Sequence, residues 1–178
     1  MKSLLILGAG GFGHMIKETA QALGYEEIVF LDDMVKEDDV IGMCCDYVIK
    51  HEDYPVAVAA FGNNKTRLFW TDKLLEEGYE VPAIVHPSAV VSPSVTLEPG
   101  CFIMQRSVVN TNTKIERAAL VNSGAVVDHN SVVCAGAHVG LGSVVKANCT
   151  IESGCKVEAG EVIFSTRRKI EGVDSRSL

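Results

Sequence analysis

Between positions 91 and 163 every sixth residue is valine, isoleucine or leucine: Val91, Leu97, Ile103, Val109, Ile115, Val121, Val127, Val133, Val139, Val145, Ile151, Val157 and Ile163. Four positions after most of them the side chain is small, as at Cys101, Ser107, Thr113, Ala119, Ala125, Ser131, Ala137, Ser143, Cys149 and Cys155. So long an unbroken run on one template is not chance. A period of six suits neither an α-helix nor ordinary hairpins. It predicts a short strand and a tight bend that return one aliphatic to a common axis, with three such units closing a triangular coil. Coils stacked at roughly the 4.8 Å strand spacing place the aliphatics in interior ladders, and the small residues fill the corners.

Ahead of the repeat the pattern is different. Ser3–Leu7 reads as a buried strand, Gly8-Ala9-Gly10-Gly11-Phe12-Gly13 as a tight glycine turn, and residues 15–23 have helical spacing that ends at Gly24. A second strand, 28–31, runs into Asp32-Asp33. A third, 56–61, runs into Gly62-Asn63-Asn64-Lys65-Thr66-Arg67 at the start of a helix reaching Glu77. Strands alternating with helices predict an open parallel sheet whose carboxyl ends border one crevice. Glycines there let a ligand approach the unpaired N–H groups of a helix N-terminus. Asp32 and Asp33 lie about twenty residues beyond the glycines, where nucleotide-binding α/β folds place an acid. The segment before Val81 is too short for a full dinucleotide fold, so a mononucleotide or nucleotide-sugar suits it better than NAD. The expected organisation is α/β followed by β: a small Rossmann-like domain over 1–86, a parallel β-helix over 87–164 and a short basic tail over 165–178.

Charge and cysteine usage narrow the function classes. Sixteen basic against twenty-three acidic residues give a net charge of −7, which argues against nucleic-acid or membrane-surface partners. Of the six cysteines, Cys101, Cys149 and Cys155 occupy small-residue corners and Cys134 follows an interior valine. Cys44 and Cys45 are adjacent with no C-x-x-C partner, so neither a zinc site nor a redox pair is expected. The first residues, broken by glycines, form neither a signal peptide nor a membrane span. A reducing, cytoplasmic compartment follows.

Two histidines fall within the repeat. His129, two places after interior Val127, is placed at a coil corner facing outward; His138 directly precedes interior Val139. A neutral imidazole near pH 7 can take a proton from an amine or hydroxyl attacking a thioester.

The sixfold pattern resembles the hexapeptide repeat of left-handed β-helix acyltransferases. With the first half of the chain it is similar to the PglD/NeuD type of sugar acyltransferase. The carriers are the Gly8-to-Gly13 loop, Phe30-Leu31-Asp32-Asp33, Gly62-Asn63-Asn64 with Arg67, His86-Pro87-Ser88-Ala89, and Val121-Asn122-Ser123-Gly124-Ala125-Val126-Val127-Asp128-His129. The resemblance implies acetyl-CoA-dependent N-acetylation of a nucleotide-linked amino sugar in surface polysaccharide or glycan synthesis, without a metal, by a homotrimer with sites between subunits. It gives Gly10, Gly11, Phe12, Asp32, Asp33 and Gly62 to the nucleotide-sugar, with Arg67 a weaker candidate for its diphosphate. His129 becomes the general base and His138 a contact to acyl-CoA. Lys146 is a further candidate for CoA phosphate, as are the tail residues Arg167, Arg168 and Lys169.

Three departures from the family pattern stand out. Asn130 follows the catalytic histidine where an acid is usual, and an amide orients an imidazole without stabilising its charge. Phe12 stands where some relatives carry histidine. The repeat also stops at Ile163, where relatives usually continue. An O-acetyltransferase of sialic acid or a related sugar, and a non-catalytic nucleotide-sugar sensor or scaffold, remain alternatives. A γ-carbonic-anhydrase-like zinc site needs three ligands, more than the two repeat histidines supply.

Overall fold

The computed structural model describes residues 2–166, so Arg167, Arg168 and Lys169 lie outside the described residues. In the N-terminal part, β1 (Ser3–Leu7), α1 (Gly11–Ala22), β2 (Glu27–Leu31), α2 (Tyr47–Lys50), β3 (Ala57–Ala59) and α3 (Asn64–Glu77) follow in order. The strands form a parallel sheet in the order β2-β1-β3, and Leu4, Leu5, Ile6 and Leu7 of the central strand are fully buried. α1 begins at Gly11, earlier than its apolar spacing alone suggests, because the glycine turn itself supplies the first helical residues. Asn63 caps α3, its side chain accepting the Thr66 N–H at 3.0 Å, and Gly78, with φ of 93°, ends it.

From β4 onward the chain is a left-handed parallel β-helix of about 4 turns. One face stacks β4 (Ile84–Val85), β7 (Phe102–Ile103), β10 (Leu120–Val121), β13 (His138–Val139) and β16 (Lys156–Val157). The next stacks β5 (Val90–Val91), β8 (Val108–Val109), β11 (Val126–Val127), β14 (Val144–Val145) and β17 (Val162–Ile163). The third stacks β6 (Thr96–Leu97), β9 (Lys114–Ile115), β12 (Val132–Val133) and β15 (Thr150–Ile151). In each two-residue strand the second residue points inward, and the repeat aliphatics from Ile103 to Ile163 form one core with Val91 and Leu97 packed against it. Backbone N–H groups pair with the coil above, as Val108 with Ala125 O and Val126 with Ser143 O, both at 2.9 Å.

The first β-helix strand precedes residue 87, the expected domain boundary. Ile84 and Val85 already pair with Phe102 and Ile103. Val85 turns inward, whereas Ile84 joins Phe102 and Leu120 in a core shared with Leu4, Ile6 and Ile16 of the N-terminal domain. The outward residues of the three faces therefore differ by purpose. The first face carries Ile84, Phe102 and Leu120 under the N-terminal domain. The third carries Thr96, Lys114, Val132 and Thr150. The second carries valine at every coil, with Val90 62% and Val162 42% exposed.

From Gly100 onward each corner has a residue with positive φ, and one corner column reads Gly100, Ala118, Gly136, Gly154. α3 lies along this column. A Cβ on Gly136 would come within 3.1 Å of Leu68, and one on Gly100 within 2.9 Å of Thr71. Asn64 donates to the carbonyls of Gly154 and Cys155, both at 3.1 Å, and Arg117 meets Asp72 at 2.7 Å.

Candidate active site

The strand ends of the N-terminal domain border open space. Gly10 is the N-cap of α1 and no side chain caps it, so the first N–H groups of the helix point outward without partners. A Cβ on Gly10, Gly11 or Gly62 would meet nothing within 4 Å. Gly13 has another purpose: a Cβ there would lie 2.0 Å from the Gly8 carbonyl, so this glycine lets α1 pack close on β1. Beside the carboxyl end of β2 opens a cleft of about 560 Å³, bordered by Asp32, Asp33, Lys36, Glu37, Gly42 and Met43.

Three of the residues expected at the nucleotide-sugar also have partners within the protein. Asp32 Oδ2 accepts the Ala9 N–H at 2.7 Å, and Oδ1 accepts those of Met34 and Val35, both at 2.8 Å. Burial works against its charge, but the N–H groups of Val35, Ala9 and Met34 prevail and hold the carboxyl below its ordinary range. Asp32 thus ties the glycine loop to the end of β2 and shapes the cleft from behind. Phe12 turns its ring onto Phe102, centroids 5.3 Å apart at 73°, and so offers a ligand its backbone N–H while the ring joins the two domains.

Arg67 is the clearest correction. It is fully buried and cannot reach a diphosphate. Nε donates to Ala118 O at 2.8 Å, Nη1 to Phe61 O at 3.0 Å and Gly62 O at 3.4 Å. Nη2 donates to Asn64 Oδ1 and Gly136 O, both at 3.0 Å, and to Ala137 O at 3.4 Å. Burial draws the guanidinium down to about 10, so it is still charged at neutral pH. No anion is needed, because carbonyl dipoles on every side take its N–H groups. The cation fastens the Gly62 turn to two successive coils. Its position at the start of a helix after a glycine turn looked like a phosphate site; the buried reach of its side chain is invisible in that local pattern.

On the β-helix, His129 is exposed at the corner between β11 and β12. Nδ1 lies 3.1 Å from the Asn130 side-chain amide, and Nε2 has no hydrogen-bond partner among the described residues. Asp128 Oδ1 accepts the His129 backbone N–H at 2.8 Å and the Asn110 amide at 3.1 Å. These two hydrogen bonds, the first foremost, hold its carboxyl below the usual value. Lys146 stands one coil on, directly above Asp128. His129, Asn130 and Lys146 are therefore together at one corner.

His138 is not with them. It points outward from β13, on the face that the N-terminal domain covers, across the triangular section from His129. Its Nε2 lies 3.2 Å from the Asn122 amide, and Nδ1 is buried with no partner among the described residues. Burial foremost, then the charges of Arg67 and Lys156, pull its imidazole down from 6.5 to about 4. It is neutral at pH 7 and offers no charge to a phosphate. Two positions were not anticipated, Asn122 against His138 and Asn112 against Asn130. The 18-residue recurrence of asparagine at 112, 130 and 148 is the signal that could have found the second.

Among the described residues no group of three or more His, Cys, Asp or Glu is placed to hold a metal. No helix among them is long and apolar enough to cross a membrane.

A family model described as the PglD N-terminal domain matches residues 3–74. The acetyltransferase domain of PglB from Neisseria gonorrhoeae, solved in complex with acetyl coenzyme A, is 31% identical, with 93% of this chain and 92% of that one aligned and a TM-score of 0.84. A mutant of GDP-perosamine N-acetyltransferase from Caulobacter crescentus, in complex with CoA and GDP-perosamine, is 27% identical over 93% of this chain and 90% of that one, with a TM-score of 0.81. WeeI from Acinetobacter baumannii, 17% identical with a TM-score of 0.66 over 93% and 96%, shares the fold. With a relative 31% identical aligned over 93% of its length, the chain belongs to the PglD/NeuD-type sugar acetyltransferases.

Proposed function

We propose that the protein is an acetyl-CoA-dependent N-acetyltransferase acting on a nucleotide-linked amino sugar, with His129 as general base, working as a homotrimer in glycan synthesis. The relatives bound to acetyl-CoA and to GDP-perosamine support both substrates. The nucleotide lies against the free N–H groups of α1 and the cleft beside Asp33. In the reaction the sugar amine attacks the thioester carbonyl, a C–N bond forms, and Nε2 of His129 takes the amine proton. The C–S bond then breaks and the CoA thiolate takes that proton from the imidazolium, so no covalent enzyme intermediate is needed. His138, neutral and half-buried, suits the acyl or pantetheine part of CoA better than its phosphates. Lys146, exposed beside Asp128, suits a phosphate.

One observation carries the assembly. The glycine loop and its cleft lie with the domain that covers one face of the β-helix, whereas His129 is across the section, beside the uncovered valine face. A nucleotide-sugar on one protomer meets a His129 only from another, and the apolar face supplies the contact.

Release of free CoA thiol from acetyl-CoA, across a panel of UDP- and GDP-linked amino sugars and free sialic acid, tests the reading. Turnover with one amino sugar and its loss in His129→Ala are expected. Turnover with sialic acid alone replaces N- by O-acetylation. Silence together with no calorimetric binding of acetyl-CoA leaves a nucleotide-sugar-binding scaffold.

A further inference from the structure

On the second face of the β-helix, the residue that follows each inward aliphatic lies outside the core. Coil by coil these residues are Ser92, Asn110, Asp128, Lys146 and Phe164. Strand pairing fixes the column: Val127 lies against Val145 and Val145 against Ile163, and the Lys146 N–H donates to Ile163 O at 2.9 Å. Below Asp128, the neighbour of His129, the column is polar and uncharged. Above it stand a cation and then an aromatic ring, Phe164, which is 77% exposed. A groove of about 360 Å³ opens beside that ring, between Glu161 and Thr166. A phenylalanine left this bare forgoes most of the burial that would stabilise it, and it stands on the strip beside the proposed base.

The spacing of the column matches the acyl donor. Coils stack at roughly 4.8 Å, so Phe164, two coils on, is roughly 10 Å above Asp128. In acetyl-CoA the gem-dimethyl carbon of the pantetheine arm lies about 12 Å from the sulfur when the arm is extended. A thioester held at His129 with its arm rising along this edge therefore brings the gem-dimethyl group, the most apolar part of the arm, to the Phe164 ring. Lys146 lies between the two, and its charge favours a donor that carries phosphates. An arm descending the same edge would meet Asn110 and Ser92, which offer neither a cation nor an apolar face.

We infer that Phe164 is a binding residue for the acyl donor: its ring packs on the gem-dimethyl group of acetyl-CoA and so favours thioesters that carry the full pantetheine arm over shorter ones. The inference rests on acetyl-CoA being the donor and His129 the base.

The test compares the full-length wild type with Phe164→Ala on donors of graded length. Acetyl-CoA carries the whole arm, acetyl-pantetheine keeps the gem-dimethyl group without phosphates, and S-acetyl-N-acetylcysteamine ends before it. Phe164→Ala is expected to raise KM about tenfold for the first two, with kcat within about twofold. Its kcat/KM for the shortest donor and its KM for the acceptor sugar are expected to match the wild type. Calorimetry is expected to show CoA bound about tenfold more weakly. An equal loss on all the donors overturns the inference, as does a loss on acetyl-CoA alone, which puts the ring on the adenine. A changed mass in light scattering also overturns it, because Phe164 is then a contact between subunits. CoA bound equally by the wild type and Phe164→Ala overturns the inference alone; a wild type that binds no CoA overturns the donor reading and the inference with it.

Discussion

Arg67 and His129 mark the extremes of what one side chain does here. Arg67 has no solvent exposure and answers five backbone carbonyls on both sides of the domain junction. Replacing it by methionine leaves those carbonyls without their donors at a cost of about 3–5 kcal/mol, read as a lower denaturant midpoint. Arg67→Lys is expected to recover little of the loss, because one ammonium cannot reach donors' positions that a planar fork spans. His129 has the opposite profile: exposed and held by one side-chain contact. His129→Ala is expected to reduce kcat by about 10²–10⁴-fold while nucleotide binding by calorimetry is unchanged. His138 adds a pH dependence. Its folded value, about 4, lies below the ordinary 6.5, so the unfolded chain binds the proton more readily. Stability from this residue is complete above pH 6.5 and is lost as pH falls toward about 4. His138→Gln is expected to flatten the stability profile measured across that window.

The elements divide into those that are written in the sequence and those decided by what packs on them. The interior of the β-helix was fully legible, because a two-residue strand has one inward position and any slip would put valine outside and a polar residue in. The outward positions were not. Val126 and Leu120 look alike in sequence, yet one lies on a bare face and the other under the N-terminal domain, a difference set by contacts far along the chain. The same limit explains the site. Gly10, Gly11 and Gly62 border open space as their pattern indicated, since a glycine's freedom is a local property. The buried reach of Arg67, and the three backbone N–H groups that Asp32 accepts, were not legible because a charged side chain's partners are not local. The docking of α3 can be tested at its tightest point. Gly136→Ala puts a Cβ within 3.1 Å of Leu68 at a φ of 66° and is expected to cost about 1–2 kcal/mol. Gly124→Ala, at a φ of 70° and with only Gly142 near, is expected to cost less. Comparing the two by thermal denaturation separates backbone strain from the displaced helix.

At the scale of the whole molecule, one face of the triangular prism is covered by the N-terminal domain, one is polar, and one is an uninterrupted valine column. A charge in the middle of that column, as in Val126→Lys, is expected to yield a stable protomer by circular dichroism that light scattering finds at monomer mass and that releases no CoA thiol. An assembled and active Val126→Lys would count against the shared site. The junction made by Arg67, Asn64 and the glycine corner column has a consequence for selectivity. It leaves the Gly62 turn and the coils no hinge, so on the proposed reading the gap between the α1 N-terminus of one protomer and His129 of another is set by how the subunits pack. A proposed site built on so stiff a frame gauges its acceptor as calipers do, by the span of the linkage that carries the sugar.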